Sequence, residues 1–210
     1  IAFIAYGGDG GTYDIGLQSL SGALERGHNF TYICYDNEAY MNTGVQRSGT
    51  TPQHVLTTTT PISGKQQVKK DMPAIMAAHG IGYVATASAA YPLDLYDKIC
   101  KAKTMSGPRY LHIHTPCPAG WGFSARHTIE IGRMAVETGS VDLYEIEKGH
   151  FRLTGQSKKM LGKTRKPLTA YFETQARFRG LSEEKVAALQ QEVDAKWADY
   201  EKMDAEEGMC

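Results

Sequence analysis

Asp9 and Asn37 are the residues whose types and settings promise chemistry. Asp9 stands in Gly7-Gly8-Asp9-Gly10-Gly11, directly after the apolar run of residues 1–6. Asn37 follows Asp36 at the end of a second apolar run, Phe30 to Tyr35. If both runs are strands of a parallel sheet, their carboxyl ends lie side by side, where such sheets bind ligands. A carboxylate, an amide oxygen and nearby backbone carbonyls then form a hard oxygen site suited to Mg2+, with positions left open for phosphate oxygens. The glycines form a turn that other residues enter with difficulty, and they let a diphosphate approach the backbone. A helix from about Thr12 would offer free N–H groups at its positive end. A plainer reading stands beside this one, in which Asp9 caps a helix and Asn37 turns the chain.

The elements that must position these residues can be followed along the chain. Residues 1–6 read as a buried strand. A chain seldom opens inside a core strand, because termini lie at the surface, so this reading expects residues upstream of Ile1. Residues 13–26 read as a helix stopped by Gly27, and Phe30 to Tyr35 as the second strand. Residues 36–67 show no helix or strand; they are rich in Thr, Gly and Ser, and a loop of that length in a compact domain is usually functional. Helices at 68–79, 92–105 and 124–138 then alternate with strands at 81–86 and 109–115, with a loop from Cys117 to Gly122. That alternation predicts an α/β fold, a mostly parallel sheet with helices on both faces. The last third adds a hairpin about Lys148-Gly149, a basic stretch at 158–166 expected to be a solvated loop, and an amphipathic helix over 182–203. Its apolar stripe is Val186, Leu189, Val193, Trp197 and Tyr200. Residues 1–140 therefore read as one α/β domain, and residues 141–210 as an extension that packs on it or on a partner subunit.

Composition narrows the classes. The chain has 210 residues, 41% of them hydrophobic, with 23 Lys plus Arg against 23 Asp plus Glu. A formal net charge of zero favours neither nucleic acid nor a membrane surface as a partner. No apolar run approaches the roughly 18 residues of a membrane span. Cys34, Cys100, Cys117 and Cys210 lie far apart, which fits a reducing, cytoplasmic setting better than a disulfide framework. Cys34 and Cys100 read as core residues and Cys210 has no assigned role. His112 and His114 alternate in a strand and read as structural histidines.

The wider sequence resembles one family. Gly8-Asp9-Gly10, followed about thirty residues on by Asn37, is similar to the diphosphate motif of thiamine-diphosphate enzymes. The segment from Gly8 to Gly16, the run from Tyr35 to Ser48 (YDNEAYMNTGVQRS), the threonines from Thr50 to Thr60, and Thr115-Pro116-Cys117-Pro118-Ala119-Gly120-Trp121 resemble the thiamine-diphosphate-binding beta subunit of pyruvate:ferredoxin oxidoreductases, lacking its N-terminal part. The resemblance spans roughly residues 1–150.

The resemblance implies an enzyme that oxidatively decarboxylates a 2-oxoacid, with ferredoxin as electron acceptor and coenzyme A as acyl acceptor. It implies thiamine diphosphate held by Gly8, Asp9, Gly10, Gly11, Asn37, Ala39, Tyr40, Asn42 and Thr43, and Mg2+ held by Asp9, Asn37 and the Ala39 carbonyl. Cys117 would be one of four thiolates on a [4Fe–4S] cluster, the other three lying outside these residues. The general base is expected on a partner subunit. Pyruvate is the first substrate choice. Gln53-His54-Val55-Leu56 departs from the family's pattern and leaves oxalate, branched-chain and aryl 2-oxoacids open. A non-oxidative thiamine-diphosphate decarboxylase or synthase, a flavodoxin-like or Rossmann module holding another phosphate ligand, and a subunit with a dead cofactor site are the alternatives.

Overall fold

The computed structural model describes residues 2–207. Ile1 and Cys210, for which the sequence raised expectations, lie outside them. The centre is a six-stranded sheet in the order β1-β2-β4-β3-β5-β6. β1 (Ile4–Gly8), β2 (Thr31–Asp36), β4 (Arg109–His114) and β3 (Tyr83–Ser88) are parallel, and β5 (Tyr144–Glu147) and β6 (His150–Leu153) close the sheet antiparallel. The expected hairpin forms, with Lys148 and Gly149 both at positive φ, the turn that matches strand twist.

Helices cover both faces because successive strand residues point to opposite sides. On one face α1 (Leu17–Glu25) and α2 (Met72–Ala77) bury Leu20, Leu24, Met72 and Met76 against Cys34, Val84 and Tyr110. On the other, α3 (Pro92–Thr104) places Ala102 against Tyr83, Ala85 and Leu111. β3 and β4 are buried along their whole length, as central parallel strands must be. α4 (Pro118–Trp121), α5 (Thr128–Glu137) and α7 (Leu168–Phe172) meet α8 (Glu183–Glu207) in a third cluster around Trp121, Tyr171 and Phe178. α6 (Gly155–Met160) and the hairpin pack on Trp197 of α8. Trp197 Nε1 donates to the Gly139 carbonyl at 3.2 Å, and a Cβ at Gly139 would strike the indole. Among the described residues no helix is long and apolar enough to cross a membrane.

Several local expectations are corrected. β1 is an edge strand with exposed side chains: Ile4 is 63% and Tyr6 75% exposed, so it is not buried. None of Gly7, Gly8, Gly10 and Gly11 has positive φ; Gly10 is demanded by the Tyr40 ring, which a Cβ would overlap. The first helix begins as a π turn, Gly11–Ile15, before α1. The helix expected from residue 68 starts at Met72, because Asp71 accepts a capping bond from Ala74 N. Residues 118–121 form one helical turn rather than a loop, stopped by Gly122 in the left-handed region. Cys100 is exposed on α3, not core. The basic stretch is partly α6, and Arg165 is engaged by Asp194 at 2.9 Å and stacks on Trp197.

Candidate functional site

The site lies where β1, β2 and β4 end. Register places Gly8 beside Tyr35 and Asp36 beside His114, so Asp9, Asn37 and the segment after β4 leave the sheet together. Asp9 is 1% exposed. Its Oδ2 accepts from Ser48 Oγ at 2.5 Å and from Thr50 Oγ1 at 2.8 Å. Among the described residues no Lys, Arg or His forms an ion pair with it. Burial, and after it the Asp36 charge, push its carboxyl up to about 7. A buried carboxylate in that condition needs a cation or a proton.

The terminal amide of Asn37 supplies the next piece. The end of its amide stands 3.0 Å from Asp9 Oδ1 and 2.8 Å from the Ala39 carbonyl oxygen. With its nitrogen facing them the amide donates to both, which satisfies all three groups without an ion. A bound cation would draw the amide oxygen inward instead, so that oxygens take these same positions. That spacing is what adjacent ligands of an octahedral Mg2+ require, since bonds of 2.0–2.1 Å at right angles put neighbouring oxygens roughly 2.9 Å apart. The donor set is a carboxylate, an amide and a carbonyl, so it fits Mg2+ better than a softer ion.

Asn37 is presented by its neighbours. Asp36 is fully buried: it accepts from Lys69 Nζ at 3.0 Å, Thr50 Oγ1 at 2.7 Å and Glu38 N at 2.8 Å, and its Oδ2 lies 3.0 Å from His112 Nε2. Burial would raise its carboxyl, but Lys69 and His112 outweigh burial and hold it well below the usual carboxylate range. Glu38 sits at φ 66, costly for a residue with a side chain, and is pinned on every side. Its carboxylate meets Lys69 at 3.1 Å and Arg177 at 2.7 Å, and its carbonyl accepts from Thr51 Oγ1 at 2.7 Å. Trp121 Nε1 donates to the Asn37 carbonyl at 2.8 Å. His114, 2% exposed, stacks near Trp121; burial drives its pKa down to about 4, and neither ring nitrogen has a partner among the described residues.

The remaining expected residues fall as follows. Gly8 and Gly10 flank Asp9, and Gly11 is exposed at the start of the π turn. Tyr40 donates to the Gly10 carbonyl at 3.0 Å and joins the two loops. Asn42 and Thr43 are exposed, with Thr43 bonded inside its own turn to Gln46. Cys117 is half-buried before α4 and packs with Met41 on the Trp121 cluster. Its segment is tied to the site because Thr115 N and Oγ1 donate to the Asp36 carbonyl at 2.8 and 3.0 Å.

Sequence reasoning missed Ser48, Thr50, Thr51, Lys69, His112, Trp121 and Arg177 as parts of this network. The three hydroxyls lie in the Thr/Ser-rich loop already singled out, so their signal was composition. Lys69 and Arg177 carried no signal, because their partners are set only by the fold.

Comparison with known proteins gives a concordant result. The model for the thiamine pyrophosphate enzyme C-terminal TPP binding domain matches residues 2–113. The chain is 57% identical over 196 residues to pyruvate synthase subunit PorB of Methanothermobacter marburgensis, and 48% identical over 205 residues to PorB of Thermotoga maritima. It is 44% identical over 208 residues to ketoisovalerate oxidoreductase subunit VorB of Pyrococcus horikoshii. These alignments take in 91%, 93% and 97% of the chain but 66%, 62% and 66% of the relatives, so the chain spans about two thirds of their length. In fold it is similar to a 2-oxoglutarate:ferredoxin oxidoreductase from Magnetococcus marinus. The TM-score is 0.58 at 22% identity, over 90% of this chain and 67% of that one.

Proposed function

The chain belongs to the beta subunits of the 2-oxoacid:ferredoxin oxidoreductase family and carries their thiamine-diphosphate-binding domain, and from this premise we propose that Asp9, Asn37 and the Ala39 carbonyl hold the Mg2+ that anchors the cofactor's diphosphate. The observation that carries the reading is the buried Asp9 carboxylate, without an ion-pair partner among the described residues, with the Asn37 amide 3.0 Å from it and the Ala39 carbonyl 2.8 Å from that amide. Gly8, Gly10 and Gly11 let the diphosphate approach their backbone, Gly10 also making room for the Tyr40 ring, and Tyr40, Asn42 and Thr43 form the wall beside it. When bound, thiamine diphosphate supplies the nucleophile and the electron sink for 2-oxoacid decarboxylation. The chain's own residues bind and orient: Asp9 and Asn37 hold the cation and move no proton. The general base belongs to a partner subunit.

In this reading the complete enzyme oxidatively decarboxylates a 2-oxoacid, with ferredoxin taking the electrons and coenzyme A the acyl group, in the cytoplasm. Residues 1–140 form the cofactor domain and residues 141–210 the extension that completes it. Pyruvate is the substrate supported by the higher identity to pyruvate synthase subunits than to ketoisovalerate ones. Cys117 fits as one thiolate of a [4Fe–4S] cluster; among the described residues the set of four is incomplete, and the rest come from elsewhere in the complex.

The test is calorimetric binding of thiamine diphosphate, with and without Mg2+, to the intact complex. Wild type should bind only with the ion. Asn37→Leu removes the amide oxygen at little change in volume and should weaken binding by at least about tenfold. Equal binding without Mg2+, or unaltered binding by Asn37→Leu, sinks the reading. Iron content separates it from a non-oxidative decarboxylase.

A further inference from the structure

Arg177 reaches the cation site from the far end of the chain. It lies in the short 3-10 turn Ala176–Phe178, between α7 and α8, and its side chain is 3% exposed. Its guanidinium lies 3.7 Å from the centroid of the Trp121 ring and 2.7 Å from Glu38 Oε2. Glu38 Oε2 has no aligned hydrogen-bond donor among the described residues, so this contact is an ion pair held by charge and by the stack. Gln175 Oε1 accepts from Arg177 Nε at 2.8 Å, and Nη2 stands 3.3 Å from the Tyr171 hydroxyl. The Arg177 carbonyl accepts from Leu56 N at 3.3 Å, so its backbone is also fastened to the long loop.

These contacts converge on one peptide. Arg177 touches the Glu38 side chain directly, and it covers Trp121, whose Nε1 holds the Asn37 carbonyl. Glu38 must stay at positive φ if the Asn37 amide before it and the Ala39 carbonyl after it are to face Asp9 together. Without Arg177 the buried Glu38 carboxylate would keep only Lys69, at Oε1; Oε2 would seek solvent, and turning it outward would rotate both neighbours.

We propose that Arg177 is a positioning residue for the cation site: with Trp121 it clamps the Asn37–Glu38 peptide so that Asn37 and Ala39 share one ion with Asp9. The inference rests on the reading that these three groups hold a divalent cation. It predicts that metal affinity depends on a residue outside the segment matched by the cofactor-domain model.

The experiment uses Mn2+ as probe on the intact complex with thiamine diphosphate present, read by calorimetry and electron paramagnetic resonance. Arg177→Met keeps much of the packing on Trp121 and removes the charge. It should weaken Mn2+ binding at least about tenfold and alter the spectrum. Adding Glu38→Gln removes the charge left half-paired with Lys69, so the double variant should bind more tightly than Arg177→Met alone. Arg177→Lys keeps a cation near Glu38 but loses the planar stack on Trp121, so it should weaken Mn2+ binding less than Arg177→Met does. A lower thermal midpoint with unchanged Mn2+ affinity in Arg177→Met would make Arg177 a packing residue and overturn the proposal. So would a loss in Arg177→Lys as large as that expected for the Met variant. A wild-type complex that takes up no Mn2+ would sink the cation reading itself, and the clamp with it.

Discussion

Asp9 and Asp36, both buried, share one hydroxyl: Thr50 Oγ1 lies 2.8 Å from Asp9 Oδ2 and 2.7 Å from Asp36 Oδ1. One hydroxyl has one proton, so only one carboxylate receives it at a time. Asp36 has Lys69, His112 and the Glu38 N–H besides. Asp9 has Ser48 and the Asn37 amide or, in our reading, a metal ion. The two carboxylates are thus built for different partners, one internal and one imported.

Asp9→Asn should therefore act in two directions. It keeps the shape and removes the charge, so Mg2+-dependent cofactor binding should fall by at least about tenfold, or 1.4 kcal/mol. The metal-free protein should be as stable as wild type or more so, because an unpaired buried charge has gone. Calorimetry and thermal unfolding in chelator check both. Unchanged cofactor affinity would remove Asp9 from the site.

Lys69→Met should unfasten Asp36 and Glu38 together, since Lys69 Nζ spans them at 3.0 and 3.1 Å. Breaking a fully buried pair costs about 3–5 kcal/mol. Lys69 is 36% exposed and water shares its charge, so about 2 kcal/mol is expected here. Denaturant unfolding measures it. A loss below about 0.5 kcal/mol would mean that His112 and Arg177 suffice without Lys69.

Cys117→Ala should change or abolish one iron–sulfur signal of the intact complex and strongly reduce 2-oxoacid oxidation, while thiamine diphosphate still binds. Pro116 and Pro118 restrict the backbone on either side of this thiol, which suits a rigid cluster ligand. An unchanged spectrum with full activity would make Cys117 an ordinary packing residue beside Met41.

His114 gives a pH dependence. Burial lowers its pKa from 6.5 to about 4, so the unfolded chain binds its proton more readily than the folded one. Its contribution is complete above pH 6.5 and is lost as pH falls toward 4, on the order of 3 kcal/mol in total. His114→Phe, which keeps a ring against Trp121, should flatten the fall in stability between pH 6.5 and 5. Parallel curves for wild type and variant would show that other groups carry it.

How far the sequence could be read follows from how local each signal is. Pro92 opening α3, the Lys148-Gly149 turn and the α8 stripe act within a few residues, and each appears in the fold as expected. That Asp9 and Asn37 meet was legible, because the ends of adjacent parallel strands lie side by side. The burial expected of β1 failed because apolarity alone does not say which strand lies at the edge. Gly10 was read for its backbone freedom, whereas its reason is the Tyr40 ring brought over from the next loop. Lys69 and Arg177 are ordinary surface-type residues in sequence. Only tertiary structure turns them toward Glu38, so no spacing rule announces them.

The Glu38–Arg177 pair also sets an order of events. Glu38 is made early and Arg177 late, with most of the chain between them. The strands ending at Asp36 and His114 can pair while the ribosome is still working, because their contacts are complete before Arg177 exists. The peptide around Glu38 cannot be locked until the later segment folds back, a long-range closure that is slow compared with helix or hairpin formation. A nascent subunit would then carry a finished sheet and an unset loop around Glu38. If, as we propose, this loop holds a cation, its loading would be one of the last steps of maturation, and readiness to bind it would report that translation has passed residue 177.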